Sequence, residues 1–150
     1  MSVKIENFGC RLNALEGDVA QAAAKTAGLE KTIIINGCAV TGEALRQARQ
    51  AARRAKRKDP DHEIIVTGCA AQTDKATFAA MPEVARVLGN EEKLNPDSYV
   101  AGSSVAVSDI MARTSATPLP ATPQPSRARA FVQVQTGCDH RCTFCIIPFG

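Results

Sequence analysis

Three thiols cluster in one short stretch. Gly137 to Gly150 reads Gly-Cys-Asp-His-Arg-Cys-Thr-Phe-Cys-Ile-Ile-Pro-Phe-Gly, which spaces Cys138, Cys142 and Cys145 as Cys-x3-Cys-x2-Cys. A loop this short can turn three sulfurs toward one point. Three thiolates around a soft metal leave at least one position open. A 4Fe-4S cluster usually takes four cysteines, so a three-cysteine site would leave one iron for a small molecule. Zinc is the alternative, with His140 or a distant residue as fourth ligand, and three ordinary thiols are the plainest reading. Spacing alone does not separate iron–sulfur from zinc.

The other three cysteines, Cys10, Cys38 and Cys69, each directly follow a glycine and lie about thirty positions apart. What positions them is a repeated pattern. Short apolar runs predict strands over Val3–Phe8, Thr32–Asn36 (with Ile33-Ile34-Ile35), Glu63–Thr67 (with Ile64-Ile65-Val66) and Val84–Leu88. Between them, Arg11 to Ala27 reads as a helix with an apolar stripe of Leu12, Leu15, Val19, Ala22 and Ala23, ended by Gly28. A second helix starts near Thr41 or Gly42 and runs to Lys58, where Asp59-Pro60 stops it. A third is expected from Ala70 to about Ala79, and a last short one within Glu91–Val100.

Strand, helix, strand, helix, strand is the pattern of an α/β domain with a parallel sheet covered on both faces and joined by right-handed crossovers. Each Gly-Cys pair then falls within two residues of a strand's carboxyl end. In a parallel sheet those loops share the edge at which such folds bind ligands. One such cysteine would be a small buried apolar residue by default. Three at equivalent positions read better as a second three-thiolate cluster, again with zinc as the alternative. Glycine beside each lets the backbone come close to a bulky ligand.

The longer run Gly137-Cys-Asp-His-Arg-Cys-Thr-Phe-Cys-Ile-Ile-Pro148, with the aromatic Phe144 just before the third cysteine, resembles the radical S-adenosylmethionine enzymes and, within them, the methylthiotransferases. Phe8-Gly-Cys-Arg-Leu-Asn13, Asn36-Gly-Cys-Ala-Val-Thr41 and Val66-Thr-Gly-Cys-Ala-Ala-Gln72 look like the three cysteine motifs of the N-terminal domain of that family. One departure is Gly37, where the family usually has Thr. The resemblance implies two 4Fe-4S clusters. Cys138, Cys142 and Cys145 would hold the radical-forming one, which binds S-adenosylmethionine with Phe144 near its adenine. Cys10, Cys38 and Cys69 would hold an auxiliary one that carries the sulfur. The implied reaction adds a methylthio group to carbon 2 of N6-threonylcarbamoyladenosine at position 37 of tRNA, beside the anticodon, and needs an electron donor. Sister enzymes act on isopentenyladenosine in tRNA or on a ribosomal-protein aspartate. A non-catalytic zinc module that binds RNA is the reading from another class.

The resemblance and the patterns together divide the chain into an N-terminal domain over 1–112, a proline-rich linker over 113–126 and the start of a radical-enzyme core over 127–150. Phe131 to Gln135 alternates Phe-Gln and Val-Gln, a strand signal, and looks like the first strand of a (β/α) barrel. Such a barrel needs on the order of 200 residues, so the chain is expected to be a fragment, inactive by itself. Aromatic residues are 4% of the chain, so the core must be built from Ala, Val, Ile and Leu. A net charge of +3 permits a nucleic-acid partner without arguing for one. Arg46, Arg49, Arg53 and Arg57 nevertheless fall on one helical face, beside a stripe of Leu45, Ala48, Ala52 and Ala55. That face suits RNA phosphates, though a solvated surface is the default. His62 has no assigned role. No signal peptide and no membrane-spanning run is read, which points to the cytoplasm, where six cysteines read as metal ligands or catalytic thiols rather than disulfides.

Overall fold

The computed structural model describes residues 3–100, 102–119 and 128–150. Five strands, β1 (Lys4–Phe8), β2 (Thr32–Gly37), β3 (Glu63–Gly68), β4 (Arg86–Leu88) and β5 (Val105–Ala106), form one parallel sheet in the order of the sequence. The helices are α1 (Arg11–Thr26), α2 (Gly42–Lys58), α3 (Cys69–Thr73), α4 (Lys75–Ala79) and α5 (Asp97–Val100). The four expected strands are present; in β2 and β3, β-branched runs buried on both faces suit a covered parallel sheet, and β1 and β4 flank them. No helix among the described residues is long and apolar enough to cross a membrane.

The sheet separates two apolar layers. Ile33, Ile35, Ile64, Val66 and Val87 face one side and pack on α2, α3 and Phe78 of α4. Ile34, Ile65 and Leu88 face the other, against Ala23 and Ala24 of α1 and Tyr99 of α5. Thus α1 and α5 lie on one face and α2, α3 and α4 on the other. The strand order advances in one direction throughout, so crossovers on opposite faces have opposite hand. The expectation of uniformly right-handed crossovers therefore fails for one pair of connections.

Local chemistry sets the helix ends. Thr41 caps α2 by accepting a hydrogen bond from the Ala44 amide at 3.1 Å. Gly28, at φ +78°, takes the chain out of α1. The buried side of α2 is a strip of methyl groups, Ala48, Ala51, Ala52 and Ala55, which lets the helix sit close on the sheet. The α1 stripe differs from expectation. Leu15 and Ala23 are buried, but Ala22 is exposed and the buried line runs through Asn13, Gly17, Ala20 and Ala24. Polar groups decide this: the Asn36 side chain, fully buried on β2, donates to the Asn13 carbonyl at 2.7 Å and to Asn7 Oδ1 at 2.9 Å. Gly17 passes over Asn7, where a Cβ would have no room.

The short helix expected within 91–100 is α5, preceded by a 3-10 turn at Glu92–Leu94 and divided from it by Pro96. Two further expectations are corrected. The helix over 70–79 is broken at Asp74 (φ −135°), where the Thr73 hydroxyl donates to the Cys69 carbonyl. No strand forms over Phe131–Gln135; alternation gives a segment two faces, but a strand also needs a hydrogen-bonded neighbour. Within the expected linker, residues 113–119 have no helix or strand, yet they are tied to the domain: Arg113 and Thr117 both bond Glu91, at 2.8 and 2.6 Å. The rest of that segment, 120–126, lies outside the described residues.

Gly68 caps α3 at φ +87° and ψ −172°, a conformation open essentially to glycine alone. A Cβ there would lie 2.3 Å from the Gly37 carbonyl oxygen and 2.6 Å from Asn36 Oδ1. Gly68→Ala is expected to cost about 3 kcal/mol of stability or more, read as a lowered urea midpoint at unchanged slope.

Candidate metal centre

The register at the carboxyl edge brings Phe8, Gly37 and Gly68 level, Phe8 beside Gly37 and Gly37 beside Gly68. The chain turns out of the sheet at that level three times, and each turn presents a cysteine. Cys10 caps α1, and its sulfur accepts from the Asn13 amide at 3.4 Å. Cys38 is buried in the loop before α2 and accepts from the Val40 amide at 3.4 Å. Cys69 opens α3 and accepts from the Asn90 side-chain amide at 3.5 Å. Gly37 has a packing reason here: a Cβ on it would lie 2.6 Å from Cβ of Ala70 and 3.2 Å from Cβ of Ala48.

These three sulfurs line one cavity of about 540 Å³, and Cys138 lines it too. The carboxyl-terminal segment comes to the same edge of the sheet. It turns between Cys142 and Cys145, where the Cys145 amide donates to the Cys142 carbonyl at 3.1 Å. Arg141 steadies the turn by donating to the Cys138 carbonyl at 3.0 Å. A 3-10 turn at Ile147–Phe149 follows and packs on α3, which lays Gly150 against the Cys69 side chain. The first triplet and Cys138 of the second thus share one cavity. Cys142 and Cys145 do not line the cavity, and Phe144 is 91% exposed. His140 is exposed and His62 lies in the loop before β3, outside the cavity.

Among the described residues, no three His, Cys, Asp or Glu side chains are drawn together closely enough to hold a metal ion. The donor chemistry at Cys10, Cys38 and Cys69 nevertheless fits a thiolate-bound metal group. All three sulfurs accept an N–H hydrogen bond, the kind of contact that surrounds metal-bound thiolates, and all three residues line one cavity. Burial pushes the Cys69 thiol up from its ordinary pKa; the Asn90 hydrogen bond and the Lys93 ammonium oppose this, while Glu16 and Cys38 add to it.

Sequence reasoning missed a polar chain behind Cys69. Asn90 bonds the sulfur, Lys93 Nζ bonds Asn90 Oδ1 at 2.7 Å, and Glu16 Oε2 meets Lys93 Nζ at 2.6 Å. The Lys93 side chain is wholly buried. A signal was present: Gly89-Asn90 follows β4 in the way Gly-Cys pairs follow β1, β2 and β3, with Asn in place of Cys. Glu16 gives no such signal, since it lies 77 positions from Lys93.

The basic face of α2 is partly engaged. Arg46 is held by Glu43, whose carboxyl is lowered to about 2 by Arg46 and then Gln47. Arg49 approaches Asp74 at 3.8 Å and Arg54 meets Glu6 at 3.1 Å. Arg53 and Arg57 are exposed.

Comparison with known proteins agrees with this architecture. Over 97% of its length the chain is 46% identical to the threonylcarbamoyladenosine tRNA methylthiotransferase MtaB of Rickettsia prowazekii. It is 34% identical over 99% to the MtaB of Bacillus subtilis. Over 97% it is 29% identical to the tRNA-2-methylthio-N(6)-dimethylallyladenosine synthase of Amoebophilus asiaticus. The matches cover 35%, 36% and 33% of those proteins, so the chain spans about a third of the length of the curated relatives it matches. Residues 2–89, more than half of the chain, match the family described as "Uncharacterized protein family UPF0004". The five-stranded parallel domain with its three Gly-Cys turns therefore belongs to the UPF0004 family, the N-terminal domain of methylthiotransferases.

Proposed function

We propose that this chain is part of a longer enzyme, a radical S-adenosylmethionine methylthiotransferase of the cytoplasm. Its substrate is N6-threonylcarbamoyladenosine at position 37 of tRNA, and the hydrogen on carbon 2 of that adenine is replaced by a methylthio group. The observation that carries this reading is the single cavity lined by Cys10, Cys38, Cys69 and Cys138 at the carboxyl edge of the sheet. The activity for which the MtaB relatives are named supports the substrate.

Cys138, Cys142 and Cys145 would hold one 4Fe-4S cluster, and Cys10, Cys38 and Cys69 a second. Bound at Cys138, Cys142 and Cys145 and given an electron by a partner, such a cluster would supply the reductive, radical-forming chemistry on S-adenosylmethionine that an unactivated C–H bond requires and a base cannot replace. The chain's own residues bind and orient. Phe144 offers an exposed ring beside Cys145 for the adenine of S-adenosylmethionine. Cys10, Cys38 and Cys69 would hold the sulfur source, and they line the same cavity as Cys138. Each of those sulfurs already accepts one N–H hydrogen bond. Arg53 and Arg57 leave exposed charge on α2 for the phosphates of the anticodon arm.

A second substrate, isopentenyladenosine, is kept by the similarity to the dimethylallyladenosine synthase. Mass spectrometry of tRNA nucleosides from cells lacking the full-length gene separates the two. Loss of the methylthio group from threonylcarbamoyladenosine alone is expected; loss from isopentenyladenosine would move the assignment to the second substrate. In the purified full-length protein, Cys142→Ala is expected to abolish release of 5′-deoxyadenosine, and undiminished release would refute the radical site. Anaerobically reconstituted protein should be brown and bleach on oxidation, whereas a colourless zinc protein would favour the structural module.

A further inference from the structure

The fourth strand ends as the first three do, but the residue after its glycine is Asn90 rather than cysteine. This side chain is held from several directions. Lys93 Nζ lies 2.7 Å from Asn90 Oδ1. An ammonium has donors and no acceptor, so it fixes the carboxamide with oxygen toward itself and the NH2 group turned to Cys69. Lys93 is itself fixed, with its side chain wholly buried, Glu16 at 2.6 Å and its carbonyl accepting from the Tyr99 hydroxyl at 2.8 Å. The Asn90 amide donates to Gln72 Oε1 at 3.1 Å. The sulfurs of Cys10 and Cys38 receive only backbone amides, so Asn90 is the one side-chain donor among the three N–H···S bonds described.

We propose that Asn90, locked by Lys93 and Glu16, is a positioning residue for the metal group at Cys10, Cys38 and Cys69, and that its fixed N–H donor at the Cys69 sulfur raises the reduction potential of that group. The inference rests on the cluster reading above. Its physics is general: a hydrogen bond withdraws electron density from a ligating sulfur and favours the more negative, reduced state. Lys93 sets the donor's direction, and Glu16 neutralises the buried ammonium that does so.

The test uses the full-length protein with Cys138, Cys142 and Cys145 all replaced by alanine, so that iron can enter only the first site. It is reconstituted anaerobically with ferrous iron and sulfide, and iron content and reduction potential are measured. Asn90→Ala removes the donor. It is expected to keep its iron while the equilibrium constant for one-electron reduction falls roughly three- to tenfold, the scale of one hydrogen bond. Asn90→Asp keeps the Lys93 contact but turns a carboxylate oxygen to the sulfur, and a larger fall is expected. An alanine variant with full iron and an unchanged potential overturns the proposal while leaving the cluster reading intact. Should the alanine variant take up no iron, the aspartate variant decides: a lowered potential supports the proposal, and a potential at or above the parent's overturns it. Failure of both variants to hold iron, at the parent's unfolding midpoint, counts for the donor being needed. A parent protein that takes up no iron overturns proposal and cluster reading together.

Discussion

β1, β2 and β3 end at the same level, and the rest of the molecule follows from that. Parallel register places Phe8, Gly37 and Gly68 side by side, so the three turns that leave them open onto one edge. The buried Asn36 carboxamide enforces the alignment. It joins the end of β1 at Asn7 to the start of α1 at Asn13 from within β2. A carboxamide placed where water cannot reach is costly unless bonded, so any slip in register would strand it. The two glycines at the ends of β2 and β3 then let the strands, the carboxamide and α3 approach without a side chain between them.

The two faces of the sheet carry different chemistry to that edge. The face under α2, α3 and α4 is almost wholly apolar, built from Ile, Val and alanine methyl groups. The α1 and α5 face mixes apolar packing with a buried polar line, Glu16 to Lys93 to Asn90, that reaches a sulfur. Removing one member of a buried ion pair leaves the other charge uncompensated, so this line holds α1 and the segment after β4 together as one unit.

The strands and the convergence of Cys10, Cys38 and Cys69 were legible in the sequence, because a short apolar segment closing on Gly-Cys, with a β-branched triplet in β2 and β3, gives boundary and thiol at once. The core side of α2 was legible for the same reason, since Ala48, Ala52 and Ala55 recur at helical spacing. The α1 stripe was not: hydrophobicity pointed to Ala22, whereas hydrogen bonds to Asn13 and Asn7 set the rotation of the helix. The break at Asp74 depends on one hydroxyl folding back on Cys69, which periodicity cannot register. β5 is two residues long, below what any pattern resolves. The burial of Lys93 leaves no mark in the sequence, because a buried cation is intelligible only with its distant partner in view.

Sequential strand order has a consequence for how the chain is assembled. Every strand pairs with its neighbours in sequence, so during synthesis from the amino end each new strand finds its partner already made. No strand has to be held open for one that emerges later, and each loop closed spans only the one or two helices between neighbouring strands. The binding edge is thus laid down in order, one thiol per strand, and Asn90 reaches Cys69 only when the fourth strand has docked. Among the four strand-end turns of this topology, the last to form is the one that carries no cysteine.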